Sequence, residues 1–381
     1  MNPLLALSDY GQSYWLDNLT RGKIESGELA RRVTEEGLRG ITSNPAIFNK
    51  AISGGGEYDA QIRQLAAEGL GIEPMYERIV VRDIQDACDV LWPVYEATDG
   101  GDGFISLEVS PHLVYDTEGT IAEARYLYEA VARPNVLIKI PGSAEGVPAI
   151  EQMLYEGVNV NVTLLFSIGA YESVAEAYVS ALERRAAEGL SVHDVASVAS
   201  FFLSRIDTLV DSRLDELVAS GTLPEAQAVA LRGEAAVANA KLAYQSFKRI
   251  FSGDRWDALK AEGARVQRVL WASTSTKNPA YDDLKYVEPL IGPHTINTMP
   301  DQTVDAFLDH GQIVPNSVER DADTAGRVMR SLAEAGIDFD QVTSQLLVEG
   351  VRKFIDPFDA LLDTLAERRE ALAADPATTA G

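Results

Sequence analysis

Val136-Leu137-Ile138-Lys139-Ile140-Pro141 is apolar at every position but one. A strand that is hydrophobic on both faces is a strand covered on both sides, which is the condition of a parallel strand packed between helices. Lys139 interrupts the run, and withdrawing an ammonium group from water is costly. Burial favours the neutral form of an amine, and a neutral amine adds to a carbonyl carbon to give a Schiff base. The other reading of the position is a strand-end lysine that snorkels to water or pairs with a carboxylate.

Outward from this run, seven more β-rich segments can be read: Tyr14 to Asp17, Gly40 to Asn44, Phe104 to Ser110, Val158 to Leu165, Val195 to Phe202, Arg268 to Ser273 and Thr295 to Met299. Amphipathic stretches lie between them, among them Ile84 to Ala97, Thr120 to Ala132, Val147 to Glu156, Ile168 to Glu188 and Val304 to Leu308. Strand, helix and strand in alternation build parallel sheets, and eight such units predict the α/β class and a (β/α)8 TIM barrel. The segment 207–265 is too long for one crossover and is dense in Ala, Leu, Glu and Arg, so it is expected to add helices outside the barrel. Ser53-Gly54-Gly55-Gly56 reads as a flexible loop and residues 368–381 as a flexible tail. Without a repeat or a linker, residues 1–381 are expected to form a single domain.

With 381 residues, 46% hydrophobic and 24% charged, the composition is that of an ordinary globular chain. A formal net charge of −25 repels nucleic acid and anionic membranes, so any phosphate it binds must be held by a local cationic cluster. The single cysteine, Cys88, cannot form an intrachain disulfide and reads as a packed thiol. The four histidines, His112, His193, His294 and His310, have no ligand spacing, so no metal is expected. Ser53-Gly54-Gly55-Gly56-Glu57 lacks the lysine of a phosphate loop, and no nucleotide cofactor is expected. Met1-Asn2-Pro3 opens no signal peptide and no apolar run approaches ~18 residues, so a cytoplasmic location with no membrane contact is expected.

Side chains alternate along a strand with period two, and here the polar residues share one parity. Ser106, Glu108 and Ser110 fall on one side of their strand, as do Asn159, Asn161 and Thr163 on theirs. Asp17, Thr42, Asn44, Lys139, Ser200 and Ser273 complete an inward-facing polar set, mostly toward the C-terminal strand ends where barrel enzymes build their sites. Lys139 supplies an amine that can attack a ketone, while Asp17 and Glu108 supply carboxylates that can move protons. That is aldol chemistry. Asp17 is suited to the proton of a substrate hydroxyl, and Glu108 with Thr163 to holding a water at the imine carbon. Two plainer roles stay open, a helix cap for Asp17 and a salt bridge to Lys139 for Glu108.

These residues resemble those of the transaldolases, specifically the longer bacterial subfamily. The resemblance is carried by Trp15-Leu16-Asp17-Asn18-Leu19, Gly40-Ile41-Thr42-Ser43-Asn44-Pro45, Ser106-Leu107-Glu108-Val109-Ser110, Ile138-Lys139-Ile140-Pro141, Asn159-Val160-Asn161-Val162-Thr163-Leu164-Leu165-Phe166-Ser167 and Trp271-Ala272-Ser273-Thr274. It implies that Lys139 forms the Schiff base, that Asp17 is the acid/base at the cleaved bond, and that Glu108 and Thr163 hold the catalytic water. It makes Asn44 and Asn161 substrate-orienting amides, Ser200 the serine beside the dihydroxyacetone unit, Phe202 a wall of the pocket, and Arg205 and Ser273 phosphate ligands. Where many family members place a second phosphate arginine, this chain has Ser275, with Lys277 two residues on; Lys277 is expected to substitute, its alternative being a solvated loop lysine. The run from Ser200 to Arg205 also lacks the proline and glycine of the better-known branch.

The reaction so implied is reversible transfer of dihydroxyacetone from sedoheptulose 7-phosphate to glyceraldehyde 3-phosphate, giving erythrose 4-phosphate and fructose 6-phosphate, in the non-oxidative pentose phosphate pathway. The implied partners are sugar phosphates alone, with no cofactor, and the implied assembly is a monomer or a homodimer.

Overall fold

The computed structural model describes residues 2–374. Eight strands, β1 (Gln12–Leu16), β2 (Gly40–Ile41), β3 (Phe104–Glu108), β4 (Val136–Pro141), β5 (Val160–Leu165), β6 (Ser197–Phe202), β7 (Arg268–Ala272) and β8 (Thr295–Met299), close into a barrel in sequence order. All eight pairings are parallel, and β8 closes on β1 with Trp15 opposite Thr298. β4 is buried at every position, as its two-sided apolar pattern requires. Register sets the chemistry: Glu108 pairs with Lys139, and Lys139 with Asn161, so the three side chains point inward as neighbours in one layer.

Local sequence explains where the strands differ from the reading. β2 stops at Ile41 because Pro45 opens the helix Pro45–Gly54, whose N-cap is Asn44. The same helix takes in Ser53 and Gly54, half of the expected flexible loop. Near its end β5 carries a register shift between Val162 and Leu165, with Leu164 at φ 61°, a left-handed conformation that non-glycine residues seldom adopt. Gly40 is where the interior admits only glycine, since a Cβ there would lie 2.2 Å from the Trp15 indole.

The segment 207–265 is helical as expected, in Ser204–Ala219, Glu225–Val229, Ala235–Ile250 and Asp254–Ala261. The helix read from Ile84 begins earlier, as Ile72–Ala97. The flexible tail requires correction, because the helix Phe339–Ala374 runs straight through 368–374 and Arg368 pairs with Asp59 at 2.8 Å. Residues 375–381 lie outside the described part. That 36-residue helix buries Val342, Leu346, Gly350, Phe354, Phe358, Leu361 and Leu365, a stripe at spacings of three and four. It packs on the helices Pro45–Gly54, Asp59–Ala67 and Ile72–Ala97 and on the end of β5, so it lies across the C-terminal mouth of the barrel. Cys88 is fully buried. Among the described residues no helix is long and apolar enough to cross a membrane.

Candidate active site

Lys139 sits near the end of β4 with its side chain only 7% exposed. Its Nζ pairs with Glu108 Oε1 at 2.9 Å and donates to the Ser43 carbonyl at 2.9 Å. The Phe354 ring, 5.6 Å from the amine, belongs to the C-terminal helix Phe339–Ala374. The lysine is therefore paired rather than snorkelled, and the plainer role considered for Glu108 is present in this geometry alongside the chemical one. Burial pushes the Glu108 carboxyl above the usual range, with the Lys139 charge opposing the shift.

Asp17 follows β1 and accepts from Thr42 Oγ1 at 2.7 Å. Burial raises its pKa, against the Thr42 hydrogen bond and the charges of Lys139, Lys277 and Arg205. It is not a helix cap, for Thr20 caps the helix Arg21–Glu25 by accepting from Lys23 N.

These groups converge on an open cavity of about 870 Å³ at the C-terminal strand ends. Asp17, Asn44, Lys139, Thr163, Ser200, Phe202 and Ser273 border it, and Arg205 and Lys277 form its cationic side. Asn44 spends its carbonyl oxygen on the Ile47 amide, 3.1 Å away, which leaves the amide nitrogen for a ligand. Two expected residues stand one step back. Asn161 is fully buried, donating to Ser106 Oγ at 3.0 Å and accepting from Ser200 at 2.7 Å, so it orients Ser200 rather than bordering the cavity. Glu108 reaches the cavity through Lys139. Ser110 and Asn159 also share the inward parity without joining the site: Ser110 N donates to Glu123, and Asn159 bonds to Pro134 O near the beginning of the strands.

Glu108 and Thr163 border a separate void of about 10 Å³, closed on one side by Phe354. This is close to the smallest volume that admits one water. Glu108 Oε1 is taken by the Lys139 ion pair, whereas Glu108 Oε2 and Thr163 Oγ1 have no hydrogen-bond partner among the described residues.

At the cationic side, Arg205 lies in the first turn of the helix Ser204–Ala219, its guanidinium 5.3 Å from the Phe202 ring centroid. Its buried Nη1 has no hydrogen-bond partner among the described residues. Ser273 adopts φ 57° and shares a 2.9 Å hydrogen bond with Ser204. Lys277 donates to Ser275 Oγ at 2.6 Å, and burial first, then the Arg205 charge, lowers its pKa. It faces the cavity rather than solvent alone.

The sequence reading missed Lys50, Thr298, Lys353 and Phe354, which also border the cavity. The last two lie on the C-terminal helix, whose apolar periodicity is the signal that would have found them.

The model of the transaldolase/fructose-6-phosphate aldolase family matches residues 14–365. The chain is 51% identical to a protein named transaldolase from Trichodesmium erythraeum, covering 97% of this chain and 98% of that one. It is 49% identical to transaldolase 2 of a Nostoc species over 96% of this chain and 97% of the relative, and 48% identical to a transaldolase of a Parafrankia species over 96% and 98%. A closed parallel barrel, a buried strand lysine beside two carboxylates, and a match along nearly the whole length place the chain in the transaldolase/fructose-6-phosphate aldolase family.

Proposed function

We propose that the chain catalyses the transaldolase reaction, moving a dihydroxyacetone unit from sedoheptulose 7-phosphate to glyceraldehyde 3-phosphate through an imine on Lys139. The observation that carries this reading is the buried Lys139 Nζ held 2.9 Å from Glu108 on the wall that Asp17 also borders.

Glu108, at contact distance, takes the proton that the Lys139 amine must lose before it adds to the C2 carbonyl of the ketose. The carbinolamine then loses water as its oxygen is protonated from the Glu108–Thr163 void, leaving an iminium. Asp17 accepts the proton of the C4 hydroxyl, the C3–C4 bond breaks, and its electron pair flows into the iminium to give an enamine. The first aldose departs and the second binds in its place. The enamine carbon attacks the new aldehyde, Asp17 returns its proton to the forming alkoxide, and water releases the product ketose. Asn44 and Ser200, the latter oriented by Asn161, hold the hydroxyls of the three-carbon unit, and Phe202 shapes the pocket. Arg205, Ser273 and Lys277 take the phosphate, a local cationic set inside a chain of net charge −25.

In this reading one barrel domain carries the whole activity, in the cytoplasm, as a monomer or homodimer, within the non-oxidative pentose phosphate pathway. The test is to mix the protein with fructose 6-phosphate, reduce with borohydride and map the modified peptide by mass spectrometry. A three-carbon adduct on Lys139 is expected; a folded protein without it refutes the mechanism. Product formation that requires an acceptor aldose phosphate separates transfer from simple aldol cleavage.

A further inference from the structure

At the opposite end of the barrel, where the strands begin, lies a second cavity of about 740 Å³. Its size falls within the roughly 300–1,000 Å³ of sites that enclose small organic ligands. Tyr244, Phe247 and Phe251 follow one another at spacings of three and four on the helix Ala235–Ile250 and the residue after it, so they share a face. Trp256, on the helix Asp254–Ala261, meets Phe251 edge-on with centroids 4.8 Å apart, and all four rings border the cavity.

Four cations border the same space: Lys248, Lys260, Arg265 and Arg268, against one carboxylate, Glu319. Lys260 comes one turn after Trp256, on its side of the helix. Lys248 pairs with Glu319 at 3.4 Å, Arg265 with Asp99 at 3.1 Å and Arg268 with Asp102 at 3.1 Å. Lys260 has no ion pair among the described residues, and the buried Arg268 Nε has no hydrogen-bond partner among them. His294 borders the cavity too, and burial first, then the Arg268 and Lys260 charges, hold its imidazole below the ordinary range. His294 also adopts a left-handed φ of 58°. A chain of net charge −25 thus presents a ring-walled, cation-lined cavity that the chemistry at Lys139 does not use.

We propose that this cavity is a second binding site, for a small organic anion made of a flat aromatic ring and a phosphate or carboxylate. The ring lies along the wall formed by Phe251 and Trp256, and the anionic group meets Lys260 and Arg268. The site lies across the barrel from Lys139, so its ligand does not compete with the sugar phosphates.

Isothermal calorimetry on the full chain tests this with adenosine 5′-monophosphate and salicylate as probes, and with inorganic phosphate and adenosine as half-ligands. At least one probe is expected to bind saturably below millimolar concentration, and each half-ligand at least tenfold more weakly; the tighter probe tells a phosphate from a carboxylate ligand. Lys260→Glu, on an exposed helix position, is expected to weaken binding at least tenfold while leaving dihydroxyacetone transfer unchanged. No saturable heat with either probe, binding of phosphate alone as tight as that of the nucleotide, indifference to Lys260→Glu, or displacement by fructose 6-phosphate would each overturn the proposal.

Discussion

Asp17 and Lys277 illustrate how much single side chains decide. Asp17 accepts from Thr42 at 2.7 Å in a setting whose burial raises its pKa, the tuning expected of a group that both takes and returns a proton. Asp17→Asn keeps shape and polarity but removes the base proposed above. It is expected to lower kcat by about 10²–10⁴ while borohydride still traps fructose 6-phosphate on Lys139, since imine formation precedes the step that needs Asp17. Rapid-quench trapping beside steady-state rates checks both halves. Lys277, exposed at the cavity rim and bonded to Ser275, is read as completing the phosphate site with Arg205. A hydrogen bond to a charged group contributes roughly 1.5–3 kcal/mol, so Lys277→Ala should raise KM for phosphorylated ketoses by about tenfold to a hundredfold and leave kinetics with unphosphorylated dihydroxyacetone unchanged. Equal losses on both would make Lys277 structural. Neither role is visible in composition. Asp17 was legible from strand parity together with resemblance, whereas for Lys277 the sequence offered only a position two residues past an expected arginine.

Elements place these groups, and at this scale the sequence was unevenly readable. Two-sided apolar runs and alternating polar residues marked all eight strands, because both patterns follow directly from burial on one face or two. The Leu164 bulge left no such mark, being fixed by tertiary packing of β5 against its neighbours. Nor was Asn161 seen to lie behind Ser200, since parity gives the side of a strand and not the depth. The largest omission was the C-terminal helix, periodic in sequence but remote from every strand it covers. Phe354 on that helix borders both the main cavity and the water-sized void. Phe354→Ala is expected to let water reach the enamine and imine, raising release of free dihydroxyacetone relative to transfer; acceptor-free turnover of fructose 6-phosphate measures the leak. A second joint between elements is Asp207, which accepts from Ala236 N at 2.7 Å and Tyr286 Oη at 2.9 Å and whose pKa burial pushes up to about 6. The folded state binds this proton more tightly than the unfolded chain. Its contribution to stability is therefore complete below about pH 4 and is lost as pH rises through about 6, a change of roughly 3 kcal/mol. Asp207→Asn should flatten that part of the pH dependence, as urea denaturation between pH 4 and 7.5 will show.

For the molecule as a whole, the barrel and its final helix are parts of one cooperative structure. Arg368 pairs with Asp59 and donates to Gly55 O, and Thr364 donates to Asn49, contacts that span some three hundred residues of chain. Removing residues 339–374 would uncover the apolar faces of the helices Pro45–Gly54 and Ile72–Ala97 together with the site mouth. A chain ending at residue 338 is expected to unfold at a lower temperature than the full protein in calorimetry and to aggregate; a truncated protein that stays monomeric and unfolds with the same midpoint would show that the helix only lies on the surface.

Because the residue that covers Lys139 lies on the final helix, docking of that helix and competence are coupled. Phe354 borders both the main cavity and the water-sized void, yet it sits on Phe339–Ala374 and not on the barrel. A site complete in its proton-handling groups is therefore incomplete in its walls until that helix docks, and local opening of the helix would lower the fraction of competent protein without moving Lys139, Glu108 or Asp17.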